Sequence, residues 1–215
     1  MKKKVIAALT AVILALGTFS AIAFAEAATE PATEPATEAV EGKSLRFRGF
    51  EWGATVDEVI EKEITSSMKE NQDWVYQEDN DRLLILNGKV SSYDTGIVFE
   101  FEDKHLVGGM YLLDVDHSNE NQYYYDFEDL CDKYEEVYGK PDVDKFENWK
   151  GSLYKDKPDK IGMAIITGDL QVGSMWYGDD GSEITVFIYG DNYDASISIK
   201  YDGPEYQASS NTDGI

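Results

Sequence analysis

Tyr125-Asp126-Phe127-Glu128-Asp129-Leu130-Cys131-Asp132-Lys133-Tyr134-Glu135-Glu136-Val137-Tyr138-Gly139-Lys140-Pro141 is the stretch from which the fold is read. Phe127, Leu130, Cys131, Tyr134, Val137 and Tyr138 recur at helical spacing with acidic residues between them. One face of the stretch is therefore apolar and the other solvated. Asp126 can cap the start, Gly139 supplies a left-handed exit and Pro141 stops continuation. The spacing predicts an amphipathic helix that leads into strands.

Outward from this helix, the same order of events precedes it. Thr55-Val56-Asp57-Glu58 is a capping box, and Val56, Val59, Ile60 and Ile64 give the apolar stripe of an earlier helix. Residues 45–53, Leu-Arg-Phe-Arg-Gly-Phe-Glu-Trp-Gly, read as a short strand ahead of it, with Phe50 and Trp52 packed beneath the helix. Residues 73–77 and 82–86 are β candidates, and Asn87-Gly88 is the strongest local hairpin signal. Ile97, Phe99 and Phe101 alternate with Val98, Glu100 and Glu102, the chain turns at Asp103-Lys104, and residues 106–113 return. Gly108 and Gly109 predict a bulge or a close backbone approach there.

After Pro141 the meander recurs. Residues 146–149 form an aromatic strand candidate, and residues 161–166 read as a strand that turns at Thr167-Gly168-Asp169 into residues 170–177. Ile184, Val186 and Ile188 alternate with Thr185, Phe187 and Tyr189, then turn at Gly190-Asp191-Asn192 to pair with Ala195, Ile197, Ile199 and Tyr201. The expected fold class is α+β: two tandem units, residues 44–118 and 119–203, each a helix packed on an antiparallel β-meander.

Before these units, Met1-Lys2-Lys3-Lys4 precedes an uncharged apolar run, residues 5–25, that ends Ala23-Phe24-Ala25. A positive start, an apolar middle and a small-x-small end make a secretory signal cut after Ala25; the alternative is an uncleaved anchor. Residues 26–43 repeat Ala-Thr-Glu with interspersed proline and read as a disordered spacer. Residues 204–215 read as a flexible tail. The expected location is secreted or at the cell surface, with membrane contact only through an uncleaved N-terminus.

The chain carries 42 Asp and Glu against 19 Lys and Arg, a net charge of −23. Such a surface repels phosphate backbones and anionic headgroups, which excludes nucleic acid as a partner. The acids are dispersed, as in a solvated exported surface. One cysteine, Cys131, permits no internal disulfide, so stability must come from a packed core. Cys131 lies on the apolar helix face and reads as a small buried hydrophobe.

Phe50-Glu51-Trp52-Gly53-Ala54-Thr55-x-x-Glu58-Val59, with Tyr138-Gly139-Lys140-Pro141 closing the second helix, resembles a pattern in exported bacterial proteins. It is similar to the helix-plus-sheet units of the β-lactamase inhibitory protein fold and of the outer-membrane assembly lipoproteins called BamE. The chain departs from the former in lacking paired cysteines and from the latter in lacking a lipidation cysteine. The resemblance implies an exported, non-catalytic module that presents sheet surfaces to a protein or envelope partner.

Signs of catalysis are few. There is no Gly-x-Ser-x-Gly elbow, no His-Glu-x-x-His and no Gly-x-x-x-x-Gly-Lys-Ser/Thr loop. His105, beside a turn, and His117, in a polar loop, read as exposed and untuned imidazoles. Glycan hydrolysis needs two acids at a set separation, and nothing singles out a pair. Residues 114–120 begin like a calcium loop, but Asn119 takes the glycine position and Tyr125 that of the bidentate glutamate. Asp179-Asp180 and Asp191-Asn192-x-Asp194 are explained by turn chemistry. No catalytic residue, metal site or cofactor is therefore expected.

The expected function is a non-catalytic binding or envelope-associated module whose partner is a protein or envelope component. Trp74, Trp149, Trp176 and Tyr177 are its candidate contact residues, since such rings bury much area at low entropic cost. The alternative is a carbohydrate-binding or carbohydrate-active surface protein, with tryptophans stacking on sugars.

Overall fold

The computed structural model describes residues 43–71, 73–77 and 82–204. The expected signal segment, most of the spacer and most of the tail lie outside them. Helices α1 (Val56–Glu63) and α2 (Ser66–Asn71) come first. Strands β1 (Trp74–Gln77), β2 (Leu83–Val90), β3 (Tyr93–Glu102) and β4 (His105–Asp114) follow. Helix α3 (Glu120–Tyr138) leads to β5 (Val143–Trp149), a 3-10 turn at Pro158–Lys160 and helix α4 (Ile161–Ile166). Strands β6 (Leu170–Tyr177), β7 (Glu183–Asp191) and β8 (Asp194–Asp202) complete the order.

The expectation of two tandem helix-plus-sheet units is overturned. All eight strands form one antiparallel sheet in the order β1-β2-β3-β4-β8-β7-β6-β5. The two meanders join where β4 pairs with β8, Tyr111 opposite Ile199 and Leu113 opposite Ile197. Each meander ends on a strand with a row of unpaired amides and carbonyls, and pairing the two last strands satisfies both rows. The boundary drawn at residues 118/119 therefore separates two stretches of sequence that share one sheet.

The helices lie on one face. Val56 and Val59 of α1, Phe127, Leu130 and Cys131 of α3, and Ala164, Ile165 and Ile166 of α4 join one buried cluster with the inward residues of the strands. Its centre is Phe47, wholly buried, with ring centroids 5.0 Å from Phe99, 4.9 Å from Tyr111 and 5.2 Å from Tyr201. A side chain of that size contributes about 2–3 kcal/mol by leaving water. Gly109 makes room for it, since a Cβ there would stand 2.1 Å from the Phe47 ring. That is the close approach expected at this glycine. The bulge is present too: Glu100 pairs with Gly108 but Phe101 with Leu106, leaving Val107 as the extra residue.

Several local expectations are corrected. Residues 45–53 form no strand; Phe50 N–H donates to the Phe47 carbonyl in a turn, with Arg48 and Gly49 at positive φ. Asn87 and Gly88 do not turn the chain: they pair with Gly96 and Thr95 inside β2–β3, and the turn falls at Ser91-Ser92. Gly88 serves instead to admit Ile97, whose Cδ1 would lie 2.5 Å from an added Cβ. Residues 161–166 are helix α4, because a short apolar run fits a buried helix as well as a strand, and Pro158 suits the turn that starts it.

Helix α3 begins at Asn119, whose side chain accepts from the Asn121 amide, and not at Asp126, which is buried. Its end is as expected, with Gly139 at φ 80° and its amide donating to Glu135. The Thr55–Glu58 capping box on α1 is likewise complete, Thr55 N–H donating to Glu58 at 2.7 Å. Phe50 and Trp52 pack against the same cluster.

Candidate functional site

Alternation along a strand sends successive side chains to opposite faces, so the residues between the helix-side positions define the other face of the sheet. Among the described residues no helix belongs to that face, yet much of it is apolar. Three rows of cross-strand neighbours run over it. The first joins Leu112, Ser198, Phe187, Gly173 and Phe146. The second joins Ile85, Val98, Met110, Lys200, Thr185 and Met175. The third joins Leu83, Glu100, Gly108, Asp202, Glu183 and Tyr177.

The first row is aromatic at one end. Phe187 and Tyr189 stack at 5.6 Å with an interplanar angle of 21°. Phe146 lies across Gly173, where an added Cβ would come within 2.5 Å of its ring. At the opposite end of the face Leu83, Ile85, Val98 and Met110 form a second buried cluster with Leu112 packed on it.

The third row is acidic. Glu183 stands directly opposite Asp202 across β7–β8. Lys200 Nζ lies 2.8 Å from Asp202 Oδ1, with side chains 36% and 41% exposed, while Met110 and Ser198 beside them are buried. Burial and the neighbouring Asp202 push the Glu183 carboxyl above its ordinary value, against the Thr185 hydroxyl bond that pulls it down. Burial pulls the Lys200 ammonium down, but Asp202, Glu100 and Glu183 together leave it raised.

The four aromatic residues expected at the site are not brought together. Trp176 is wholly buried, its indole N–H donating to the Gly139 carbonyl at 2.8 Å. Trp74 and Trp149 are half-buried and pack against the helix-side cluster, Trp149 donating to Glu147 at 2.7 Å. Tyr177, 44% exposed, ends the acidic row on the helix-free face. The residues that sequence reasoning passed over are Phe146, Met175, Phe187 and Tyr189. Their signal was present in β7, where Phe187 and Tyr189 make the outward positions of an alternating strand apolar as well.

His117 is not the exposed imidazole expected. It is half-buried, with Nε2 2.6 Å from Asp126 Oδ2 and its ring against Tyr123 at 4.9 Å. Gln122 also donates to Asp126, and the His117 amide donates to the Tyr123 hydroxyl. These bonds fasten the β4–α3 connection to the first turns of α3. The Cys131 thiol is buried, and burial raises its pKa to about 12.

The loop acids Asp179 and Asp180 clasp the start of the described chain. The Lys43 amide donates to Asp179 at 2.6 Å and the Ser44 hydroxyl to Asp180 at 2.5 Å. Among the described residues no group of three or more His, Cys, Asp or Glu side chains is arranged to hold a metal ion. Nor is any described helix long and apolar enough to cross a membrane.

No protein-family model, curated protein or solved structure matches the chain, so its resemblance to exported helix-plus-sheet proteins rests on the short motifs alone.

Proposed function

We propose that the protein is an exported, non-catalytic binding module that contacts a protein or envelope partner through the helix-free face of its sheet. One observation carries this reading: the sheet is apolar on both faces, while the described helices cover only one. An antiparallel sheet with a single packed face ordinarily turns polar residues to water on the other. Here Phe146, Phe187, Tyr189, Met175 and Leu112 occupy those positions, all of them partly exposed. Aromatic residues and methionine are what the centre of an interface is made of. Export is supported by the Lys2–Lys4 start, the apolar run and the Ala23-Phe24-Ala25 ending.

The carbohydrate alternative has less support, since Trp74, Trp149 and Trp176 pack with the helix side.

Affinity capture from envelope and culture fractions tests the reading when the wild-type chain is compared with Phe187→Ser and with Val137→Ser, a control at a helix residue 72% exposed. A partner retained by the control and lost by Phe187→Ser is expected. Retention by all three chains assigns the contact elsewhere, and a signal removed by soluble cell-wall oligosaccharide shifts the assignment to sugar.

A further inference from the structure

We propose that the loop between β5 and α4, residues 150–160, docks an acidic extended protein segment, its carboxylates on Lys155, Lys157 and Lys160 and an apolar side chain on Leu153. The inference goes beyond the binding-module reading, since it concerns a surface other than the helix-free face.

This loop reverses the character of the chain. It reads Lys150-Gly151-Ser152-Leu153-Tyr154-Lys155-Asp156-Lys157-Pro158-Asp159-Lys160, with four lysines against two aspartates in a chain of net charge −23. All four lysines are exposed. Elsewhere Arg46, Arg48, Lys145 and Lys200 each hold a carboxylate at 2.7–2.8 Å. Acids outnumber bases more than two to one in this chain, yet none of the four loop ammonium groups forms an ion pair with a described residue. Lys157 Nζ instead lies over the Tyr154 ring, 5.7 Å from its centroid.

The loop is held in one shape. At its start the Lys150 amide donates to the Asp169 carbonyl at 2.8 Å, and at its end the Asn121 side chain of α3 donates to the Asp159 carbonyl at 3.1 Å. Between them the Lys157 amide donates to Tyr154 and the Lys160 amide to Lys157, both at 2.9 Å. These two successive turns draw Lys155, Lys157 and Lys160 together. Tyr154 packs against the helix-side cluster, whereas its neighbour Leu153 is 63% exposed. An apolar side chain presented from a loop already fixed costs little further ordering when a partner covers it.

The surroundings select a narrow partner. The turn carrying Asp191 and Asp194 packs on the end of α4, where the Tyr193 amide donates to the Ile166 carbonyl, and the Asp169 carboxylate lies over Gly151. An anionic bilayer or a nucleic-acid duplex extends over these carboxylates and is repelled. A single extended segment covers the loop alone, and charges farther than about 8 Å are largely screened at physiological salt. A second copy of the chain brings its own net charge of −23.

The test uses fluorescein-labelled peptides of about ten residues, each long enough in extended form to cover the loop. Leucine alternates with glutamate in the first, with serine in the second and with lysine in the third. Each is titrated into the full chain at physiological salt. The glutamate peptide is expected to bind most tightly, the reverse of the order that attraction to the whole acidic chain would give. Lys155→Gln/Lys157→Gln/Lys160→Gln should weaken it roughly ten-fold or more, and Leu153→Ser roughly three-fold or more. Lys69→Gln/Lys89→Gln/Lys140→Gln, at exposed positions elsewhere, removes the same charge and should change affinity by less than about two-fold.

Zero-length carbodiimide cross-linking of the glutamate peptide to the unaltered chain gives a readout that needs no variant, and cross-links should map to lysines of residues 150–160. Tightest binding by the lysine peptide, equal weakening by the two triple variants, or cross-links concentrated on other lysines overturns the proposal. Equal binding of the glutamate and serine peptides overturns the acidic partner. Anionic phosphatidylglycerol vesicles that bind the chain, and bind the loop triple variant less, while the glutamate peptide does not bind, reassign the loop to a lipid surface and overturn it as well.

Discussion

The indole nitrogen of Trp176 donates to the carbonyl oxygen of Gly139 across 2.8 Å, so the residue that ends helix α3 is fastened to strand β6. The same helix is held to β8 by the 2.9 Å bond between the Tyr134 and Tyr201 hydroxyls. Trp176 is wholly buried, and Tyr134 packs on it at 5.8 Å. Trp176→Phe keeps an aromatic ring but strands the Gly139 carbonyl, and it should lower stability by about 1–3 kcal/mol. Trp176→Ala adds a cavity and should cost about 3–5 kcal/mol. Urea unfolding midpoints followed by circular dichroism check both, and equal stability of wild type and Trp176→Phe would mean that the bond contributes nothing.

How much of this was legible depended on range. The Thr55–Glu58 capping box and the Gly139–Pro141 stop are local patterns, and both were readable. The start of α3 was not, because Asp126 is as good a capping residue as Asn119 on local grounds; only its place beside His117 removes it from the helix terminus. Ile161 to Ile166 is too short a run for periodicity to distinguish helix from strand. Asn87-Gly88 carried a strong turn signature, and the packing of Ile97 over Gly88 overrode it. The pairing of β4 with β8 joins residues far apart in sequence, and no local signal encodes it. The acidic row is illegible for the same reason: Glu100, Asp202 and Glu183 meet only through the registers of four strands.

Gly109 should tolerate no side chain. An added Cβ meets three atoms of the Phe47 ring, all within 2.5 Å, and that ring is itself locked between Phe99, Tyr111 and Tyr201. Gly109→Ala should therefore destabilise by about 1–3 kcal/mol through overpacking. Phe47→Leu alone should lose about 1–3 kcal/mol of burial and packing. Combined with Gly109→Ala it should lose less than the two single changes together, because the smaller side chain relieves the clash. A double-mutant cycle in urea checks this, and strict additivity would place the effect of Gly109 elsewhere.

The Cys131 thiol should be inert in the folded chain. It is buried on α3, and burial raises its pKa to about 12, so at neutral pH almost no thiolate is present to react. Labelling with a thiol-exchange reagent should be slow in native buffer and fast in strong denaturant. Rapid native labelling would show that the lower half of α3 opens without global unfolding.

Two glutamates should give stability opposite dependences on pH. Bonds from the Thr55 amide and hydroxyl hold Glu58 below its ordinary 4.5, so the folded carboxylate stays ionised after the unfolded one has taken its proton. Its contribution is present above 4.5 and is lost as pH falls through the depressed folded value. Glu183 is the reverse: burial first, then Asp202, raise it above 4.5, so the unfolded chain ionises before the folded one. Its contribution is therefore present below 4.5 and is lost as pH rises through the raised folded value. Glu183→Gln removes that loss, keeps an oxygen for the Thr185 hydroxyl and leaves Asp202 without an opposing charge. The variant should melt higher than wild type at about pH 7 and converge with it near about pH 4. Thr55→Ala should melt lower than wild type at neutral pH, with the gap closing on acidification as Glu58 is protonated. Thermal melts of the three chains across this range check the pair of signs, and a Glu183→Gln advantage that persists unchanged into acid would place its origin in packing.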